Sequence, residues 1–141
     1  MSNIFDMFET DPELERGGVT LEYGINSKGE PIQIVIARAG GSNTAFLKRL
    51  EQLTKPYRRL LDAGHSLPKE LNDKLQRELY ADTVIKDVRG FEERDGTPIP
   101  FTKEAVINLF ERLPNLFIDV MGQAQALSTF RSEQREDEAK N

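Results

Sequence analysis

Residues 34–50 read "IVIARAGGSNTAFLKRL" and pass from an apolar run through two glycines into a helical pattern. Ile32, Ile34 and Ile36 alternate with Gln33, Val35 and Ala37, the period of two that marks a strand. From Ser42 the apolar residues recur at three- and four-residue steps: Phe46, Leu50, Leu53, Tyr57, Leu60 and Leu61. That spacing lines one face of a helix. Strand, glycine turn and helix start is also the layout of a phosphate-binding loop. Such loops need a lysine and hydroxyl directly after the glycines, or three spaced glycines inside a βαβ unit. Here Gly40 and Gly41 are adjacent, and Lys48 lies a full turn or more into the helix. The stretch therefore reads as a connector from strands to helices.

Upstream, Val19, Leu21 and Tyr23 alternate with Thr20 and Glu22, and Asn26-Ser27-Lys28-Gly29 is turn chemistry. These residues predict an antiparallel hairpin over 19–38. Before it, residues 1–18 carry Phe5, Met7, Phe8 and Leu14 among acids and predict an arm that docks by these few apolar residues. Downstream, Ser42 or Asn43 is placed to cap the first helix, Pro56 predicts a break near Lys55, and Gly64 a stop. Ser66 is placed to cap a second helix, with Leu71, Leu75 and Leu79 on one face, running to about Val88. Asp95-Gly96, Pro98 and Pro100 predict a loop. Thr102 caps a third helix, with Phe101 and Val106 at the spacing of a hydrophobic staple. Pro114 opens a fourth, with Phe117, Val120, Met121, Ala124 and Leu127 at helical spacing. Residues 131–141 have no large apolar side chain and predict a charged tail or linker. The expectation is one α+β domain over 1–130: a β-hairpin packed on about four helices, the latter spanning 42–130.

Composition narrows the chemistry. The chain has 141 residues, 38% hydrophobic and 30% charged, enough for a core under a solvated surface. It has no cysteine, hence no thiol nucleophile and no sulfur-ligated metal. No stretch reaches the length of a membrane span, and the acidic N-terminus lacks signal-peptide order. A net charge of −5 argues against nucleic acid, although Lys48, Arg49, Lys55, Arg58 and Arg59 cluster around Tyr57. The single histidine, His65, stands in a loop with no nucleophile in reach by sequence. The carboxylates Asp11 with Glu13, Glu92 with Glu93, and Asp119 read as solvating charge unless a cleft gathers them. No catalytic, cofactor-binding or metal-binding residue is assigned. Phe117, Ile118, Val120 and Met121 put large apolar side chains on more than one helix face, which suits either a buried helix or an interface.

Four blocks carry a resemblance: "FETDPELERGGVTLEYG", "IVIARAGGSNTAFLKRLEQLTKPYRR", "DGTPIPFTKEAVINLFERLPNLF" and the ending "AKN". Together they resemble tail assembly chaperones of long-tailed phages and prophages. One departure falls at "VIKDVRGF", where Val88 and Gly90 stand in place of an expected aromatic. The resemblance implies a non-enzymatic protein without cofactors that coats the tape measure protein and promotes tail tube assembly. It would work in the host cytoplasm and be absent from the mature virion. It also implies a longer form made by ribosomal frameshift that recruits the tail tube protein. Ala139, Lys140 and Asn141 can be encoded by a slippery heptamer, and the tail would then link to the added domain. A homo-oligomer is compatible with this role, and no membrane is involved. For such a protein the candidate partner-binding residues are Phe117, Met121, Leu127 and Phe130, with methionine suited to irregular clients. The alternatives are a structural tail-completion or head–tail connector protein, and a nucleic-acid binder using the basic helix.

Overall fold

The structure is a computed structural model that describes residues 3–131. The tail from 132 onward, with Ala139, Lys140 and Asn141, lies outside the described residues.

The fold is α+β. Strands β1 (Val19–Ile25), β2 (Pro31–Ile36) and β3 (Ile85–Arg89) form an antiparallel sheet in chain order. The predicted hairpin is therefore a three-stranded meander. The third strand was expected as the end of a helix, which instead stops at Thr83. Val84, Ile85 and Val88 fit either period over so short a run. Pairing decides the matter: Ile36 faces Ile85 and Ile34 faces Val88, with a register shift between. Val19 opposite Ile36 and Leu21 opposite Ile34 complete one apolar sheet face. The other face carries a polar row, in which Gln33 donates to Glu22 (2.7 Å) and Arg89 donates to Gln33 (3.4 Å). Among the described residues the first face is the buried one.

The Asn26–Gly29 turn forms as predicted, with Asn26 Oδ1 accepting from Lys28 N and Glu30 N. Gly90, at the sequence departure, closes β3 at φ +75°. A Cβ there would lie 2.2 Å from the Pro31 carbonyl oxygen. An aromatic at this position has no space. Gly90→Ala should cost about 2–4 kcal/mol, from positive φ and a backbone collision together, read as a lower urea midpoint at unchanged slope.

Helices α3 (Thr44–Thr54) and α4 (Arg58–Asp62) are separated by a 3-10 turn, Lys55–Tyr57, around Pro56. The break falls where proline removes a donor and crowds the preceding turn. α4 ends at Gly64 in a Schellman motif, with His65 N on Leu60 O (3.0 Å) and Gly64 N on Leu61 O (3.0 Å). Beyond the break the apolar stripe leaves the core, and Leu60 and Leu61 are exposed. α5 (Lys69–Thr83) starts after Pro68 without a side-chain cap, so Ser66 does not serve there. α6 (Lys103–Arg112) does take its predicted cap, Thr102 Oγ1 accepting from Ala105 N at 3.1 Å. α7 (Pro114–Gln125) is followed by a 3-10 turn, Leu127–Phe130.

The connector of the opening stretch is the hub of this arrangement. Ala37 N donates to Val84 O (2.7 Å), Arg38 N to Glu15 O (2.9 Å) and Ala39 N to Ala124 O (2.9 Å). Asn43 was expected as a helix cap. Its side chain is instead buried, and Nδ2 donates to Arg38 O (2.8 Å) and Thr83 O (2.9 Å). One amide thus joins the end of β2 to the end of α5. A single cluster of buried side chains runs from Leu14 to Phe130.

The N-terminal residues form two short helices, α1 (Ile4–Phe8) and α2 (Pro12–Gly17). Docking is by Leu14, which is buried, whereas Phe5, Met7 and Phe8 are exposed, against expectation. An aromatic docks only where a facing side chain receives it, and sequence spacing does not supply that partner.

Candidate functional site

Several of the carboxylates and basic residues singled out in the sequence form structural contacts. Among the described residues no group of histidine and carboxylates is placed to hold a metal. Glu92 accepts from Ser27 N (2.7 Å) and Ser27 Oγ (2.9 Å), two hydrogen bonds that lower its pKa and pin the β1–β2 turn to the 91–100 loop. Glu93 pairs in two-pronged fashion with Arg112. Asp119 accepts from Tyr23 OH at 2.7 Å. Burial, then this hydrogen bond, then the carboxylate charge push the tyrosine pKa well up. The basic cluster is divided. Arg49 bonds to Asp82 (2.8 Å) and Glu78 (3.2 Å), and Lys103 reaches the same two acids. Burial alone would raise the pKa of Asp82, but hydrogen bonds from Lys103 and Arg49 outweigh it and lower it. This four-charge network ties α3, α5 and α6 together.

The glycine turn holds an ion pair. Glu15 is buried on α2 and bonds to Arg38 at the end of β2. Burial pushes the carboxyl pKa up. Hydrogen bonds from Arg38, Ser42 and Thr10, with the guanidinium charge, overcome that and hold it below the usual range. A Cβ on Gly41 would lie 2.2 Å from the Glu15 carboxylate. Gly41 is there so that the loop can close over this pair.

One open feature is largely apolar. A groove of about 430 Å³ lies between α5 on one side and the α6–α7 corner on the other. Its floor is the residual surface of Phe110 and Phe117, with Met121 half-buried beside them. Pro114 and Ile118 form its outer lip, and Ile118 is 62% exposed. The α5 wall is polar: Lys69, Asn72, Asp73, Gln76 and Arg77, and Glu111 adds a carboxylate on the α6 side. Lys69 and Asp73 face each other at 3.7 Å. Arg77 Nε is buried and has no hydrogen-bond partner. A groove with an apolar floor and a polar wall suits an amphipathic segment.

Residues 41–141 match the family model described as YdaY prophage protein. The chain belongs to the YdaY prophage protein family. The match covers well over half the chain and includes every residue lining the groove, while α1, α2, β1 and β2 precede it. No curated protein and no solved structure matches. The chain is thus a prophage-family protein, and among its described residues no helix is long and apolar enough to cross a membrane.

In this YdaY family member the four predicted partner-binding residues do not share one surface. Phe117 is 7% exposed and Phe130 is fully buried, so both are core residues, Phe117 keeping only a residual surface at the groove floor. Phe117 stacks on Phe110 (4.8 Å between centroids) and meets the edge of Tyr80 (5.4 Å). Phe130 lies beneath the N-terminal segment, its carbonyl accepting from Asp11 N. Leu127 is half-buried in the last 3-10 turn. Met121 alone of the four is a partly open groove residue. The sequence reading missed Pro114, Ile118 and Arg77. Ile118 was visible among the clustered apolar residues of the last helix, but nothing in spacing told which face the sheet and α5 would take.

Proposed function

We propose that this prophage-family protein is a tail assembly chaperone, holding an amphipathic helix of the tape measure protein in the α5–α7 groove until the tail tube covers it. The observation that carries the reading is the groove's apolar floor behind a 62% exposed Ile118, with most of the polar groups on the α5 wall. A helix lying in it would present apolar residues at three- and four-residue steps to Pro114, Ile118 and Met121. The family membership supplies the phage context, and the sequence resemblance supplies the client. The role needs no bond-making chemistry and no cofactor. It places the protein in the host cytoplasm during assembly, and the tube protein would be recruited by a longer frameshifted form.

The test is co-expression with the tape measure protein and capture of the complex. Ile118→Glu should reduce capture by about tenfold or more, because it puts a charge on the lip of an apolar contact. Its melting temperature should stay near that of the parent, since an exposed substitution changes stability by only about ±0.5 kcal/mol. Undiminished capture by a folded Ile118→Glu protein would remove the groove from the reading. Mass spectrometry of purified particles tests the role itself: a chaperone is absent, whereas a tail-completion or connector subunit is present in stoichiometric amount.

A further inference from the structure

Two exposed surfaces of the fold are apolar and carry opposite charge. The first is α1. Ile4, Phe5, Met7 and Phe8 are all exposed, Phe5 by 68%. Residues 3–9 contain Asp6 and Glu9 and no cation. Five residues are too few for a helix to persist in water unaided, yet this one is held in place. Asn3 and Asp6 form a reciprocal capping box, Arg131 Nη2 donates to Met7 O at 2.9 Å, and Asp11 N donates to Phe130 O at 2.7 Å. The fold thus presents an acidic, aromatic knob to solvent.

The second is the outer side of α3 and α4. Phe46, Leu50 and Leu53 pack against the core, whereas Leu47, Leu60 and Leu61 are left exposed. Residues 47–61 hold five cations against one acid, Glu51, a net charge of +4 in a chain of net −5. Arg49 is occupied with Asp82 and Glu78. Lys48, Lys55, Arg58 and Arg59 are exposed and form no ion pair with any described residue. An open hollow of about 620 Å³, lined by Thr44, Leu47, Lys48, Leu50, Glu51 and Thr54, has the volume to admit a phenyl ring.

We infer that copies of this chain associate by resting α1 of one on the α3–α4 face of another, its aromatic side chains against Leu47 and the hollow and its carboxylates among the four unpaired cations. Opposite charge aligns the two surfaces, and burial of apolar side chains on both holds them. Within one molecule α1 is tied through Arg131 and Phe130 and its apolar side chains stay exposed, so the receptor they meet is on another molecule. A nucleic-acid backbone would use the cations and leave the three leucines idle. A duplex or an acidic bilayer would also extend past the patch and face the acidic remainder of the chain within a Debye length, about 8–10 Å. A seven-residue acidic segment stays inside the patch. About ten side chains burying on the order of 100 Å² each put one contact near 1,000 Å², the small and reversible class of interface. The pairing does not rest on the client assignment and leaves the α5–α7 groove free.

Sedimentation equilibrium of the full chain at about 200 µM tests the pairing, at a concentration where a contact of tens of micromolar is largely filled. The average mass should rise above the 16.0 kDa of one chain. Raising salt from about 50 to about 500 mM should weaken association by about tenfold, since the charges that align the surfaces are screened. Phe5→Ser/Phe8→Ser on the knob and Arg58→Glu/Arg59→Glu on the face should each give monomers with unchanged melting temperature. Mixing the two should restore association through the one intact knob and the one intact face. Glu9→Lys should weaken it by about fivefold, and Ile118→Glu should leave it unchanged. A parent that stays monomeric overturns the inference, as does association that survives both double variants, a mixture that fails to associate, or loss of association in Ile118→Glu. A monomeric parent retained on labelled duplex DNA or acidic vesicles through Arg58 and Arg59 would give the face to those partners instead. Tape measure capture by the knob and face variants should stay at the parent level, so failure of the pairing and failure of the client assignment read separately.

Discussion

Phe117→Ala should destabilise the domain by about 3–5 kcal/mol, the usual cost of removing a buried phenylalanine. The ring sits between two others. It stacks on Phe110 at an interplanar angle of 24° and receives the edge of Tyr80 at 89°, and Tyr80 in turn meets Phe46 at 85°. Removing it leaves a void against α5 and α6 and breaks a chain of aromatic contacts worth about 0.5–1.5 kcal/mol each beyond area. Domains of this size have about 5–15 kcal/mol in total. The melting temperature should fall by roughly 10 °C or more, with early loss of the α5–α7 packing. Client capture should fall too, but only in step with unfolding. That distinguishes Phe117 from Ile118, whose replacement should reduce capture while leaving the transition in place. A Phe117→Ala protein as stable as the parent, within about 0.5 kcal/mol, would show that the ring is not part of the core.

This contrast measures how far the last helix was legible in sequence. Helical spacing separates Phe117, Val120 and Ala124 from Ile118, and all three are buried. Periodicity gives the two faces but not which one the rest of the chain covers. That is decided by α5 and α6, whose angles are a tertiary property. The same limit explains β3. "VIKDV" has too few residues to separate a helical from a strand period, and the pairing partner lies some fifty residues earlier in β2. Signals that act locally read through correctly: the proline break between α3 and α4, the Asn26–Gly29 turn and the Thr102 cap each need only neighbours in the chain. Asn43 shows where a local rule loses to a distant one. Its amide finds the carbonyls of Arg38 and Thr83, and the cap is forgone. The candidate site is the least legible part, because a groove is the space between elements and no single segment encodes it.

Arg38→Met should be the other large effect, about 3–5 kcal/mol at neutral pH, and its pH dependence is diagnostic. Glu15 is 2% exposed, and its charge is tolerated because Arg38, Ser42 and Thr10 bond to it. In the parent the folded pKa lies below the unfolded value of about 4.3, so the pair's contribution is complete above that pH. It is lost as pH falls through the folded value. Without the guanidinium, burial becomes the dominant influence and the folded pKa of Glu15 rises above its unfolded value. The sign then reverses. Protonated Glu15 is the form the variant's fold accepts, so that group's effect on stability worsens as pH rises from about 4 toward neutrality. Urea unfolding across this range should show the parent losing stability toward acid, while the deficit of Arg38→Met narrows. Adding Glu15→Gln to Arg38→Met should recover much of the loss at neutral pH, since no buried charge then remains. Gly41 makes the same point from the backbone side: Gly41→Ala forces a Cβ against the Glu15 carboxylate, so closure of the turn and burial of the pair are one event. An Arg38→Met deficit that is constant with pH would mean that the loop is held by its backbone bonds to Glu15 and Ala124, and that the buried charge contributes little.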